Sequence, residues 1–180
     1  MIDEDKVFIS ECYGQGGVLL KFNEDLKASV IWKERNFGMH WMTPLVIDDH
    51  IYGFAGRNKP DVQFRCVNLD DGSIIWKDDM RYQFELNGRN LTLSFFRGSL
   101  LRCNDRVFGL GEDGVFAEFN ISPKGVKILS QSQLFVAEQS WALPVVHRGL
   151  LYISQHTKGF VNDTKPRLMC FDFREKVSSE

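Results

Sequence analysis

The sequence has no adjacent pair of cysteines and no C-x-x-C, and its four cysteines (Cys12, Cys66, Cys103 and Cys170) lie far apart. A disulfide framework or a thiolate metal knuckle needs closer spacing, so free thiols are expected. Cys66 and Cys170 sit in apolar strand patterns, where cysteine serves as a small buried hydrophobe. Basic residues do not cluster: Lys+Arg 22 stand against Asp+Glu 24, for a net charge of −2. Without a basic stripe, nucleic-acid binding is not expected. No apolar run approaches the ~20 residues of a membrane helix, so no membrane span is expected. The opening Met1-Ile-Asp-Glu-Asp-Lys lacks a charged-then-apolar leader, so no signal peptide is visible and the chain as it stands carries no export address. Three turns of amphipathic helix are also missing.

What is present is an internal repeat. Ser29-Val-Ile-Trp-Lys-Glu34 matches Ser73-Ile-Ile-Trp-Lys-Asp78 position by position, 44 residues apart. Trp41-Met-Thr-Pro44 and Trp141-Ala-Leu-Pro144 each open a run that reaches a tyrosine, Tyr52 or Tyr152, eight residues after the proline. The third unit keeps this outline in Ser99-Leu-Leu-Arg-Cys-Asn-Asp-Arg-Val-Phe108, without the proline. The aromatic markers Phe8, Tyr52, Phe108 and Tyr152 are spaced 44, 56 and 44 residues apart. The longer middle interval holds an extra segment, Arg81 to Leu93, read as an extended loop.

Each unit is a series of short β-branched and aromatic runs punctuated by Gly, Asn and Asp, as antiparallel strands are. A period near 44 residues with about four strands per unit predicts an all-β chain. The fold that suits it is a β-propeller of four-stranded antiparallel blades. The chain, residues 1–180, is read as one such segment with approximate blades at 1–39, 40–96, 97–138 and 139–175. Four blades would be half of a seven- or eight-bladed ring. Their unpaired faces would expose apolar surface.

The stretch Cys66-Val-Asn-Leu-Asp-Asp-Gly-Ser-Ile-Ile-Trp76 resembles the tryptophan-docking motif of pyrroloquinoline-quinone-type (quinoprotein) propellers, A-x-D-x-x-T-G-x-x-x-W. Cys66 takes the Ala place, Asn68 the Asp and Asp71 the Thr, followed by Gly72 and Trp76. Trp32 keeps the motif in the first unit. Ala117 and Gly125-x-x-x-Leu129 keep it in the third, with two extra residues and Leu for Trp. Cys170-Phe-Asp172 begins it in the last. The resemblance spans about residues 6–175 and is strongest to the C-terminal half of bacterial quinoprotein-like repeat proteins. It implies blade-docking roles for Trp32, Cys66, Gly72, Trp76, Gly125 and Cys170. It also implies a ring completed either by a missing half on a longer, exported or periplasmic, chain or by a second copy as a homodimer.

The same resemblance raises a quinone-dependent alcohol or sugar dehydrogenase as the alternative function, its cofactor residues lying on missing blades. In that family a strained disulfide between adjacent cysteines, a tryptophan floor and a Glu/Asn/Asp calcium site hold the cofactor. This chain lacks the cysteine pair, and its Asp pairs read as solvated turns. Trp41 and Trp141 recur at the same point of their units, which reads as structural packing. Gly109-Leu-Gly-Glu-Asp-Gly114 spells a nucleotide fingerprint, but strand-like Val115-Phe-Ala-Glu-Phe follows where a helix would be needed, so a hairpin turn is expected. The sequons at Asn90, Asn120 and Asn162 read as chance matches.

No catalytic, cofactor-binding or metal-ligating residue is therefore assigned, and no cofactor is expected. A candidate rim or ligand surface is Trp41, Arg57, Asn58, Trp141 and His156, with Lys59-Pro60-Asp61-Val62 extending the loop after Asn58. The leading expectation is a non-catalytic scaffold or binding module that meets a protein partner or a small ligand.

Overall fold

The computed structural model describes residues 4–58, 61–161 and 163–174; residues 1–3, Lys59, Pro60, Asn162 and the stretch 175–180 lie outside it. Sixteen strands form five antiparallel sheets. The first sheet holds β1 (Lys6–Glu11), β2 (Gly16–Phe22) and β3 (Ala28–Glu34). The second holds β4 (Leu45–Ile47), β5 (His50–Ala55), β6 (Gln63–Asn68) and β7 (Ile74–Asp78). After a two-stranded hairpin, β8 (Arg81–Leu86) and β9 (Arg89–Ser94), the third sheet holds β10 (Ser99–Cys103), β11 (Arg106–Leu110), β12 (Val115–Ser122) and β13 (Gly125–Gln133). The fourth long sheet holds β14 (Val145–His147), β15 (Leu150–Gln155) and β16 (Arg167–Asp172). No described helix is long and apolar enough to cross a membrane.

The repeat is visible in the backbone. In each of the first three sheets the register shifts once between the last two strands, at Leu19/Leu20, Cys66/Val67 and Glu118/Phe119. Such bulges twist a strand locally and recur where geometry must be repeated. The turn after β6 is set by its side chains. Asn68 Oδ1 accepts from Asp70 N at 2.7 Å, Asp71 Oδ1 accepts from Ser73 N at 2.9 Å, and Gly72 supplies the positive φ of 75°. That is the chemistry by which Asn, Asp and Gly make tight turns.

Two tryptophans tie successive sheets. Trp32 Nε1 on β3 donates to Leu69 O in the turn of the second sheet at 2.7 Å, and its ring covers Gly72, where a Cβ would come within 2.6 Å. Trp76 Nε1 on β7 donates to Ser122 O of the third sheet at 2.9 Å. Gly125, expected as a counterpart of Gly72, is no such platform, since a Cβ there would meet nothing within 4 Å. The two extra residues lengthen β12 and carry this glycine to an open turn.

Strand alternation gives each sheet two apolar faces, and the cores form between them. Phe8, Leu19 and Trp32 of the first sheet meet Val46, Ile51 and Val67 of the second. The opposite face of the second, with Tyr52, Phe54, Phe64 and Cys66, meets Leu100, Val107, Ala117 and Phe119 of the third. Phe108, Leu110 and Phe116 then meet Leu151, Ile153 and Phe171 of the fourth.

Three expectations are corrected. Arg81–Leu93 is a hairpin rather than a loop, closed by Asn87 and Gly88 with φ of 52° and 75°. Asn-Gly suits this turn because both central residues need positive φ. Tyr82 of the hairpin is buried in the core between the second and third sheets, with Phe84 and Leu93 packed against it. Four strands per unit hold for the second and third units, whereas the first and last show three among the described residues. All four cysteines are free, but only Cys66 is buried; Cys170, expected in a core, is exposed. Its strand lies on a face that nothing in the described structure covers.

Candidate functional site

The loops that lead into β4, β10 and β14 meet the hairpin tips after β1, β5, β11 and β15. Backbone hydrogen bonds lock them pairwise: Gly56 N to Gly38 O at 2.8 Å, Glu112 N to Phe95 O at 3.1 Å, and Ser140 N to Glu112 O at 3.1 Å. Where they converge, side chains from all four long units form one aromatic–arginine cluster.

Its spine is a run of rings. Tyr13 Oη and His40 Nε2 are 2.7 Å apart, His40 stacks on Trp41, and the Trp41 and Trp141 ring centroids lie 4.3 Å apart. Arginines flank the run. Arg57 Cζ sits 4.6 Å over Tyr13, and Arg97 Cζ lies 5.8 Å from Trp41 and 5.7 Å from Trp141. Guanidinium over an aromatic face is attractive, increasingly so where water is excluded.

Arg97 is fixed by Glu112, a carboxylate only 1% exposed. Arg97 Nε donates to Oε2 at 2.9 Å and Nη2 to Oε1 at 2.5 Å, while Trp141 Nε1 donates to Oε1 at 3.1 Å. This two-pronged pairing is what a buried charge requires. At the Trp141 end, His156 Nδ1 is 2.9 Å from Gln139 O and 3.3 Å from Trp141 N. The shorter contact fits Nδ1–H donating to the carbonyl.

Burial, then the charges of Arg97 and Arg57, push the His40 imidazole below its ordinary pKa, with Glu112 opposing weakly. His40 is therefore neutral near pH 7. Burial pushes the Cys12 thiol up, its own backbone contact and both arginines pulling the other way. Two buried polar atoms of the cluster, His40 Nδ1 and Ser140 Oγ, have no hydrogen-bond partner among the described residues. Such atoms cost about 1–3 kcal/mol each unless something pairs with them. They flank the tryptophan pair in sequence, one next to Trp41 and one next to Trp141.

The structure thus brings Trp41 and Trp141 into contact, places Arg57 and His156 at the two ends of the same cluster, and leaves Asn58 exposed in the Arg57 loop. Trp41 and Trp141, expected as structural packing, lie against one another, with Trp41 44% exposed, while Trp32 and Trp76 tie the sheets. Tyr13, His40, Arg97 and Glu112 were not foreseen. The repeat offered a signal for two of them: Tyr13, Arg57 and Glu112 all lie two residues past the end of the equivalent strand, and His156 lies one residue past it.

No family model matches the chain, and no curated protein matches it. Among solved structures it is similar to the computationally designed Ika8 protein, with a TM-score of 0.50 and 10% identity, over 97% of this chain and 48% of that one. The chain therefore spans about half the length of that protein. At this identity the likeness concerns the fold alone.

Proposed function

We propose that the chain is a segment of a quinoprotein-like β-propeller and works as a non-catalytic binding module, its aromatic–arginine cluster meeting a ligand or a protein partner. The observation that carries this reading is the state of that cluster. Its ionisable groups are already committed, Glu112 to Arg97 and Trp141 and His40 to Tyr13, while Trp41 stays open to solvent. Groups held this way orient and recognise. Trp41, 44% exposed, offers its ring to whatever docks.

The propeller part of the reading is supported by serial stacking, in which each long sheet meets the next through the same pair of faces. Two faces stay open: Val7, Ile9, Val18 and Leu20 on the first sheet, and Val145, Tyr152, Leu168 and Cys170 on the last. Further sheets, from the rest of a longer chain or from a second copy, would cover them and complete a ring. Among the described residues the outer edge of β16 is open as well, beside a groove of about 650 Å³ lined by Phe108, Phe116, Leu151 and Phe171. A strand added there would take the place that β7 and β13 hold in their own sheets.

Tryptophan fluorescence during titration with pyrroloquinoline quinone and calcium tests the non-catalytic assignment. The expected result is no saturable change. Saturable quenching that depends on Trp41 or Trp141 would promote the dehydrogenase reading instead.

A further inference from the structure

Beside the aromatic cluster, between the first two sheets, lies a cleft of about 230 Å³ whose lining includes Arg35, Arg57 and Arg65 together with Glu11, Asp61 and the backbone of Gly56. We propose that this cleft is an oxyanion site, taking the carboxylate or phosphate group of a ligand between these three guanidinium groups. This assignment does not depend on the propeller reading.

Three arginines line this one small cleft, and its carboxylate Glu11 does not serve them. Glu11 spends both oxygens on backbone, Oε2 accepting from Tyr13 N at 2.7 Å and Oε1 from Gln15 N at 2.8 Å. Nearby Glu34 likewise caps Asn36 N through Oε1 at 2.7 Å. Among the described ion pairs, none joins Arg35, Arg57 or Arg65 to a carboxylate. Arg65 is the most telling. Its Nη2 donates to Gln63 Oε1 at 3.2 Å, but its buried Nε has no partner among the described residues. Burial lowers the pKa of this guanidinium; the charge of Glu34 opposes the shift without a direct ion pair to it.

The floor is built for close approach. Gly56 at φ 128° packs against the Asp61 backbone, and Gly14 at φ 100° leaves open space where a Cβ would stand. Guanidinium is the side chain suited to such a ligand, since its fork of N–H donors matches a carboxylate or phosphate edge. A carboxylate and a phosphate make the same demand here, and the choice of probe separates them.

Isothermal titration of the full chain at low salt, with inorganic phosphate in one arm and acetate in the other, tests the site. One anion per chain is expected to bind saturably in at least one arm, and the arm that saturates names the ligand's group. Arg35→Gln and Arg57→Gln, both at exposed positions, should fold normally and weaken that binding by about tenfold each. Arg65→Gln should weaken it at least as much, with the circular dichroism spectrum as the check on folding. Heats that never saturate in either arm, or unchanged affinity in both Arg35→Gln and Arg57→Gln, would overturn the site. Either failure would leave the Trp41–Trp141 cluster and its proposed role untouched.

Discussion

Tyr52 pairs with Cys66 across β5 and β6, and Tyr152 pairs with Cys170 across β15 and β16, in the same register of equivalent sheets. The first pair is sealed, Tyr52 being 2% exposed and Cys66 0%. The second is open, with Tyr152 half-buried and Cys170 exposed. The register is alike, and what differs is the cover: β7 beside Cys66 and the third sheet over its face have no described counterpart at Cys170. Burial in this molecule is a property of the stack and not of the single unit, as in other repeat architectures.

Substitutions on the two faces should separate most widely. Phe64, fully buried beside Tyr52, should cost about 3–5 kcal/mol as Phe64→Ala. Leu168, on the equivalent open face and 72% exposed, should cost about 0.5 kcal/mol or less as Leu168→Ala in dilute, single-chain solution. Urea unfolding of both variants measures the gap. Equal losses would mean that the fourth sheet's outer face is covered in solution.

Next in size is the cluster itself. Arg97→Met keeps the bulk of the side chain but strands the Glu112 carboxylate in a dry site, and should cost about 3 kcal/mol. Arg106→Met breaks a similar two-pronged pair with Glu118, but Arg106 is 57% exposed, so about 0.5 kcal/mol is expected. Thermal melts of the two variants decide it, and equal shifts would remove the special status of Glu112.

The thiols give a finer test without any change of sequence. Burial raises the Cys66 pKa and hides its sulfur, so in dilute solution a thiol reagent should label Cys170 in the native protein and Cys66 only after unfolding. Peptide mass mapping after brief labelling reads the order. Protection of Cys170 under native conditions would show its face occupied.

How much of this was open to sequence reasoning depended on the range of the forces involved. Trp32, Trp76 and the Asn68–Ser73 turn announce themselves because strand alternation and turn chemistry are local. Asn87-Gly88 was equally local and was still passed over, because a segment that broke the period was read as an insertion without structure of its own. Glu112 was hidden for a different reason: an acidic residue in Gly-Glu-Asp-Gly has the composition of a solvated turn. Only the chain's return at Arg97 and Trp141 buries it. Cys170 misled in the opposite sense, since an apolar strand pattern states which face wants cover and not whether cover is present.

The smallest effect concerns pH. The Arg106 hydrogen bond, and then its charge, hold the Glu118 carboxyl below its ordinary pKa, with slight burial opposing. A carboxyl depressed in the folded state adds stability above its unfolded pKa and loses it as pH falls through the folded value. The pair should therefore contribute at neutral pH and fade only in acid. NMR titration should find Glu118 below the usual glutamate range in the native chain and back within it in Arg106→Gln.

The central claim is that the open faces of the first and last sheets are the same kind of surface as the sealed ones between. Light scattering of the 180-residue chain, across a range of concentrations, tests it most directly. The account predicts the single-chain mass of 20.8 kDa in dilute solution and two copies or more as concentration rises, because exposed Ile9, Val145 and Leu168 seek cover. A monodisperse species of 20.8 kDa that persists at high concentration would contradict it, since those faces would then be stable in water on their own.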